Sequence, residues 1–251
     1  MRTYPTGECA VEIRLDIERR KSAADKPYIQ SVLYKTEDCA ANVASALAEI
    51  ELDGSYKDID GAPVGRIRRE CSCMQKKCGA CAMLINGIPR LACGTRLGEF
   101  EKKGSVTIAP LRKFPPVADL IVDRSFVFET LKRMSVWAEG GITAPECTDD
   151  LAYEASRCLQ CGCCLEVCPE FYAGEGAQFF GMSAAVPASR LLKQLSAEQS
   201  AVLAEEYRRH VYEGCGKSLA CRKICPAGID IERLLVSSNA AAIWKRLFRI
   251  K

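Results

Sequence analysis

The sequence predicts an α+β chain of two domains. Residues 1–109 form a small mixed sheet with one helix, residues 145–251 form an all-helical body, and residues 110–144 form a linker with a helix of its own. Three observations carry that prediction. Apolar and polar residues alternate with a period of two only in the first part of the chain, the mark of half-buried strands. From about residue 145 strand signals vanish, and helical stretches alternate with runs of cysteine. Between the two, Pro110, Pro115 and Pro116 interrupt the pattern.

The elements follow in order. Residues 9–20 form the first strand, with Val11, Ile13, Leu15 and Ile17 on one face and charges between them. Residues 28–36, containing Val32, Leu33 and Tyr34, supply a partner strand. Residues 38–52 read as a helix capped by the Asp38 carboxylate, with Val43, Leu47 and Ile50 along one face. Met83-Leu84-Ile85 is a strand that runs into Asn86-Gly87, a dipeptide suited to a hairpin turn because both positions tolerate positive φ. Ser105–Ala109 closes the sheet. In the linker, residues 117–137 read helical through Leu120, Ile121, Phe126, Phe128, Leu131 and Met134. Leu151–Arg157, Ala188–Leu195, Ala197–Tyr212 and Ile231–Leu247 are the helices of the second domain.

Composition sets the chemistry. With 48% hydrophobic and 27% charged residues in 251, the chain is neither disordered, collagenous nor of low complexity. A formal charge of +3 is too small to argue for nucleic acid, and none is expected as a partner. Sixteen cysteines are many for this length. Disulfides belong to oxidising compartments, yet residues 1–8 do not lead into an apolar signal core and no run of 18 apolar residues could span a membrane. The expectation is therefore reduced thiols that bind metal.

Cys73, Cys78 and Cys81 follow the spacing C-x4-C-x2-C, and Cys93 follows eleven residues later. That is the plant-type [2Fe–2S] order. A tight loop lets three thiolates converge on a small cluster, Gly79 removes a side chain where backbone must curl around sulfide, and loop N–H groups can donate to the sulfurs. Zinc also accepts paired Cys-x2-Cys, but the distant fourth cysteine after x4 and x2 favours the ferredoxin reading. Cys71 in place of Cys73 would give x6, so Cys73 is the expected ligand.

Cys158-x2-Cys161-x2-Cys164-x3-Cys168-Pro169 is the bacterial ferredoxin run, whose fourth cysteine ligates the other cluster. A shift of 57 residues places Cys158 on Cys215, Cys164 on Cys221, Cys168 on Cys225 and Pro169 on Pro226. The stretch is an internal repeat. Only Cys161 finds no thiol, its counterpart being Ser218. The exchange rule gives Cys158, Cys161, Cys164 and Cys225 to a [4Fe–4S] cluster. It gives Cys168, Cys215 and Cys221 to a site one thiolate short, for which [3Fe–4S] is the natural outcome. Ligation by the Ser218 hydroxyl is the alternative, disfavoured because that oxygen is a harder ligand of much higher pKa. Five cysteines are left over: Cys9, Cys39, Cys71, Cys147 and Cys163, read as ordinary core or surface residues.

No catalytic triad or Gly-rich phosphate loop accompanies these runs, and no catalytic residue is expected. The only histidine, His210, sits in a charged helical run and is expected at the surface. Three clusters without a reaction site describe an electron carrier.

The chain resembles the iron–sulfur subunits of succinate dehydrogenase and fumarate reductase. The resemblance covers nearly its whole length and lies in Ser72-Cys73…Cys78-Gly-Ala-Cys81, Leu91-Ala-Cys93, Asp119-Leu-Ile-Val-Asp-Arg124 and the two ferredoxin runs with Pro169 and Pro226. It implies a plant-ferredoxin β-grasp domain followed by a helical ferredoxin domain. It implies a flavoprotein partner with FAD, where succinate and fumarate interconvert, and a membrane anchor where quinone exchanges electrons. By similarity the [2Fe–2S] cluster faces the flavin and the [3Fe–4S] cluster the quinone. The chain itself would sit peripherally on the cytoplasmic face of the membrane.

Ubiquinone-linked members carry a Trp soon after the first Cys-Pro and a His after the first cysteine of the last run. Here those places hold Phe171-Tyr172-Ala173 and Gly216. This is closer to members paired with a diheme cytochrome b anchor and menaquinone. The basic tail Trp244–Lys251 reads either as a contact with anchor or lipid headgroups or as cations at a helix end. The competing functions are the same carrier serving a soluble flavoprotein reductase and a structural zinc protein.

Overall fold

The computed structural model describes residues 10–138, 150–174, 176–192 and 194–244. Two compact units emerge: Met1–Arg112 with Pro116–Val122, and Lys113–Pro115 with Asp123–Lys251. The expected linker is thus divided between the two.

In the first unit, β1 (Val11–Arg19) pairs antiparallel with β2 (Tyr28–Thr36) and parallel with β5 (Ser105–Ala109). Strand β3 (Ala82–Ile85) pairs antiparallel with β5 and with β4 (Ile88–Leu91), so the sheet order is β2-β1-β5-β3-β4. This mixed sheet is the β-grasp that the resemblance implied. Val11, Ile13, Leu15 and Ile17 are all buried, as their alternation demands. Asn86 and Gly87 take φ of 50° and 77°, the positive pair that a two-residue hairpin turn requires. Pro89 lies on β4 at the sheet edge, where a missing N–H does least harm.

Helix α1 spans Val43–Leu52 and buries Val43, Leu47 and Ile50. Its cap is Asn42, not Asp38. Ser45 N donates to Asn42 Oδ1 at 3.0 Å and Asn42 N donates to Ser45 Oγ at 2.9 Å, a reciprocal capping box. Asp38 instead accepts Ala40 N at 2.8 Å in a local turn that precedes the helix.

At the end of β1 the alternation fails, because Glu18 and Arg19 are both buried. Arg112 binds Glu18 bidentately at 2.7 and 2.5 Å. Arg19 Nε donates to Asp119 Oδ1 at 3.2 Å, and Asp119 also accepts Arg20 N and Arg68 N at 2.8 and 2.9 Å. Asp119 thereby pins a short hairpin, β6 (Pro116–Ala118) with β7 (Ile121–Val122), onto the sheet unit. The expected helix over 117–137 is therefore corrected: helix α2 covers only Ser125–Arg133. Removing one partner of a buried pair leaves the other charge stranded. Asp119→Ala in the full chain is expected to cost about 3 kcal/mol, read as a lower urea midpoint, while Glu12→Ala on the exposed face of β1 should change little.

The second unit is helical among its described residues: α3 (Asp150–Ser156), α4 (Cys163–Glu166), α5 (Met182–Leu191), α6 (Ala197–Tyr207) and α7 (Ile231–Asn239). Helices α6 and α7 continue into π-turns at Arg208–Tyr212 and Ala240–Trp244. Helix α5 starts six residues earlier than the expected Ala188, with Pro187 inside it. Its small residues Ala184, Ala185 and Ala188 are buried in the helical core with Leu203, Tyr207 and Leu234. His210 is not the surface residue expected. Its ring stacks on Phe180 at 4.0 Å between centroids, its side chain is 12% exposed, and Nδ1 lies 2.7 Å from Gln178 O. Cys39 is disulfide-bonded rather than a free thiol. Cys9, Cys147 and tail residues 245–251 lie outside the described residues.

Candidate functional site

The loop from Cys73 to Cys81 has no regular structure, and its backbone is folded inward by positive φ at Met74, Lys76 and Gly79. Those turns point N–H groups at sulfur. Gln75 N and Lys77 N both donate to Cys73 Sγ at 3.3 Å, and Lys76 N donates to Cys93 Sγ at 3.3 Å. The β3–β4 hairpin returns the chain so that Cys93 Sγ stands 3.3 Å from Cys81 Sγ. Cys78 is exposed on the same loop.

Electrostatics separate the candidate ligands. The N–H groups of Gln75 and Lys77 lower the Cys73 thiol to about 7, so a large share of it is thiolate near neutral pH. Burial raises Cys71, whose Sγ instead lies 3.1 Å from Met74 Sδ. Cys73 thus faces the donors and Cys71 does not. Burial pushes Cys81 up to about 12, so this thiol requires a nearby positive centre to ionise.

In the second unit, Cys158, Cys161, Cys164 and Cys225 line one cavity, closed by apolar side chains including Met182, Val186 and Ile231. Cys225 comes from the second run, and the other three from the first. Gln160 Nε2 donates to Cys158 Sγ at 3.2 Å, and Arg124 Nη1 donates to Cys161 O at 3.3 Å. The side chain of buried Cys163 hydrogen-bonds that of Cys161, and this chiefly lowers Cys161 to about 7. Burial pushes Cys158 up to about 11 and also raises Cys164 well above the usual thiol range.

Cys168, Cys215 and Cys221 form the third group. Burial raises Cys221 to about 11, with the neighbouring Cys168 and Cys215 adding to the rise. Burial also raises Cys168, against backbone N–H groups of Glu170 and Phe171 that lower it. Lys113 Nζ donates to Cys168 O, and Lys217 Nζ donates to Cys215 O at 3.2 Å.

The 57-residue repeat extends into the backbone. Gln160 and Lys217 take φ of 51° and 55°, and Gly162 and Leu219 take 84° and 54°. A leucine in the left-handed region is a strained choice. It keeps the loop shape of the first run although the thiol between these positions has become Ser218. Ser218 Oγ accepts Ala220 N at 3.5 Å, and Cys161 accepts the matching N–H of Cys163.

Among the described residues no three His, Cys, Asp or Glu side chains converge tightly enough to share a single metal ion. A cluster that spreads its irons between several sulfurs needs no such convergence. The donor sets fit such a cluster: thiols only, with N–H groups aimed at sulfur, and burial that disfavours thiolates unless cationic iron stands beside them. Sequence reasoning missed Lys113, Lys217 and the Arg124 contact, since each acts on a backbone carbonyl and carries no spacing signal.

Residues 14–129 match the 2Fe-2S iron-sulfur cluster binding domain family, and residues 154–229 match the 4Fe-4S dicluster domain family. The succinate dehydrogenase iron-sulfur subunit of Bacillus subtilis (strain 168) is 31% identical over 243 residues, covering 90% of this chain and 91% of its own. The fumarate reductase iron-sulfur subunit of Wolinella succinogenes is 28% identical over 228 residues, covering 84% and 88%. Among solved structures, a chain of the Mycobacterium smegmatis Sdh1 complex in the apo form matches the fold with a TM-score of 0.67 at 22% identity, over 95% of this chain and 98% of that one. The chain therefore belongs to the family of succinate dehydrogenase and fumarate reductase iron–sulfur subunits, and it carries electrons through a [2Fe–2S], a [4Fe–4S] and a [3Fe–4S] cluster.

Proposed function

We propose that Cys73, Cys78, Cys81 and Cys93 hold the [2Fe–2S] cluster, that Cys158, Cys161, Cys164 and Cys225 hold the [4Fe–4S] cluster, and that Cys168, Cys215 and Cys221 hold the [3Fe–4S] cluster. The observation that carries this reading is the single cavity lined by Cys225 together with three thiols of the other run. When bound, each cluster accepts and releases one electron at a time. The protein's own part is to fix the thiols, to aim N–H groups at their sulfurs and to keep water from the buried ones.

The carrier connects a flavoprotein containing FAD to a membrane anchor of the cytochrome b type, on the cytoplasmic face of the membrane, with menaquinone as the quinone. Gly216 supports this choice over the ubiquinone-linked pattern. The support lies in the residue type; a Cβ there would stand 2.6 Å from Oε1 of the exposed Glu170, a flexible side chain that can move aside.

Anaerobically purified protein is expected to contain about nine iron atoms per chain, the sum over the three clusters. Elemental analysis showing stoichiometric zinc and little acid-labile sulfide would overturn the reading. The isolated chain is expected not to oxidise succinate. Together with the flavoprotein it should reduce an artificial dye, and quinone reduction should appear only when the anchor is added.

A further inference from the structure

The two ferredoxin runs share a loop shape but differ in charge. At the first position of left-handed φ, the first run has the neutral Gln160, whose amide reaches Cys158 Sγ. The second run has Lys217, and its ammonium reaches Cys215 O while lying 5.0 Å from the centre of the Tyr212 ring. Those two contacts hold the cation against the site although the residue is exposed. A second cation arrives from outside the repeat. Lys113 is fixed by its own backbone N, which donates to Glu166 Oε2 at 3.0 Å, and its Nζ donates to Cys168 O. Two of the three thiols proposed for the [3Fe–4S] cluster therefore have a lysine on their own carbonyl. Cys158, the [4Fe–4S] thiol that matches Cys215 in the repeat, has the neutral Gln160 instead, and one cation, Arg124, reaches a carbonyl of that set, Cys161 O at 3.3 Å, against two for the other.

We infer that Lys113 and Lys217 tune the [3Fe–4S] centre, raising its reduction potential by placing two positive charges beside Cys168 and Cys215. The inference rests on the ligand assignment proposed above. Reduction adds one electron, and so one negative charge, to the cluster; the electron comes from the [4Fe–4S] side and leaves to the quinone, with no bond made or broken. A fixed cation lowers the energy of the more negative state. Carboxylates of Glu166, Glu170 and Glu232 face the same region and act in the opposite sense, Glu232 being itself paired with Arg222 at 3.0 Å, so the two lysines set how far that negative charge is offset.

The test is a redox titration of the three-iron electron paramagnetic resonance signal in the assembled complex. Lys217→Gln imports the residue of the companion run, and Lys113→Met removes the second charge. Each should shift the reduction equilibrium several-fold toward the oxidised cluster, and the double variant about tenfold, a fall of about 59 mV for a one-electron couple. Lys113→Arg and Lys217→Arg keep the charge and should restore the native midpoint, while the [2Fe–2S] midpoint stays fixed throughout. A full-intensity signal with an unmoved midpoint in the double variant overturns the inference, as does an arginine variant that shifts as far as the neutral one. If Lys113→Met fails to retain the cluster, the exposed Lys217→Gln decides the sign alone. Absence of a three-iron signal in the native complex overturns the ligand assignment itself, and the inference with it.

Discussion

Cys225→Ala is expected to remove the [4Fe–4S] cluster, although Cys225 belongs to the run whose other two thiols are assigned here to the [3Fe–4S] cluster. Iron content should fall by about four atoms per chain, and electron transfer to quinone should drop by more than about 100-fold. Dye reduction at the flavoprotein side should persist, because the [2Fe–2S] unit is built from other residues. Cys168→Ala should do the reverse and empty the three-iron site. The measurement is low-temperature electron paramagnetic resonance combined with iron analysis. If Cys225→Ala instead spares the [4Fe–4S] signal and loses the three-iron one, each run holds its own cluster and the shared cavity has misled us.

The second large effect concerns Ser218. Its hydroxyl stands in a loop whose backbone matches that around Cys161, with the same pair of left-handed residues on either side. Serine stays protonated near neutral pH and binds iron poorly, whereas a thiol in that loop completes the ferredoxin run. Ser218→Cys should convert the three-iron centre to a second [4Fe–4S] cluster, abolish the signal of the oxidised three-iron state and add about one iron per chain. Quinone reduction should slow if the new potential is lower. An unchanged spectrum and iron content would show that Cys168, Cys215 and Cys221 do not hold a three-iron cluster.

Much of this arrangement was legible because short-range rules govern it. The period-two alternation marked β1, the Asn86-Gly87 pair marked the β3–β4 turn, and cysteine spacing grouped the thiols that the fold then gathers. What failed came from rival signals a few residues apart or from contacts distant in sequence. Asp38 and Asn42 are both competent caps, and the helix start is settled by the Asn42–Ser45 box. The hairpin at 116–122 is held by Asp119 against Arg19 and Arg68, which no local pattern announces. The helix expected over Ala188–Leu195 instead spans Met182–Leu191, with Pro187 inside it. His210 is half-buried because Phe180 offers it a stacking face, although its sequence neighbours are charged.

The cavity shared by Cys225 and Cys158, Cys161 and Cys164 also bears on how the protein is made. The three thiols of the first run leave the ribosome well before their fourth partner. During that interval the nascent chain presents an incomplete site that would leave a corner iron open to water and oxygen. Under the proposed ligand assignment neither helical-domain cluster would be completed until both runs have been translated, because each run would lend a thiol to the other's site. Cluster insertion in the helical domain would then wait for the second run and be coupled between the two sites. The thiols proposed for the [2Fe–2S] site all lie within residues 73–93, so that site would be free to load first. Pulse-labelled chains should acquire iron in that order, with the helical domain protease-sensitive until the later clusters arrive.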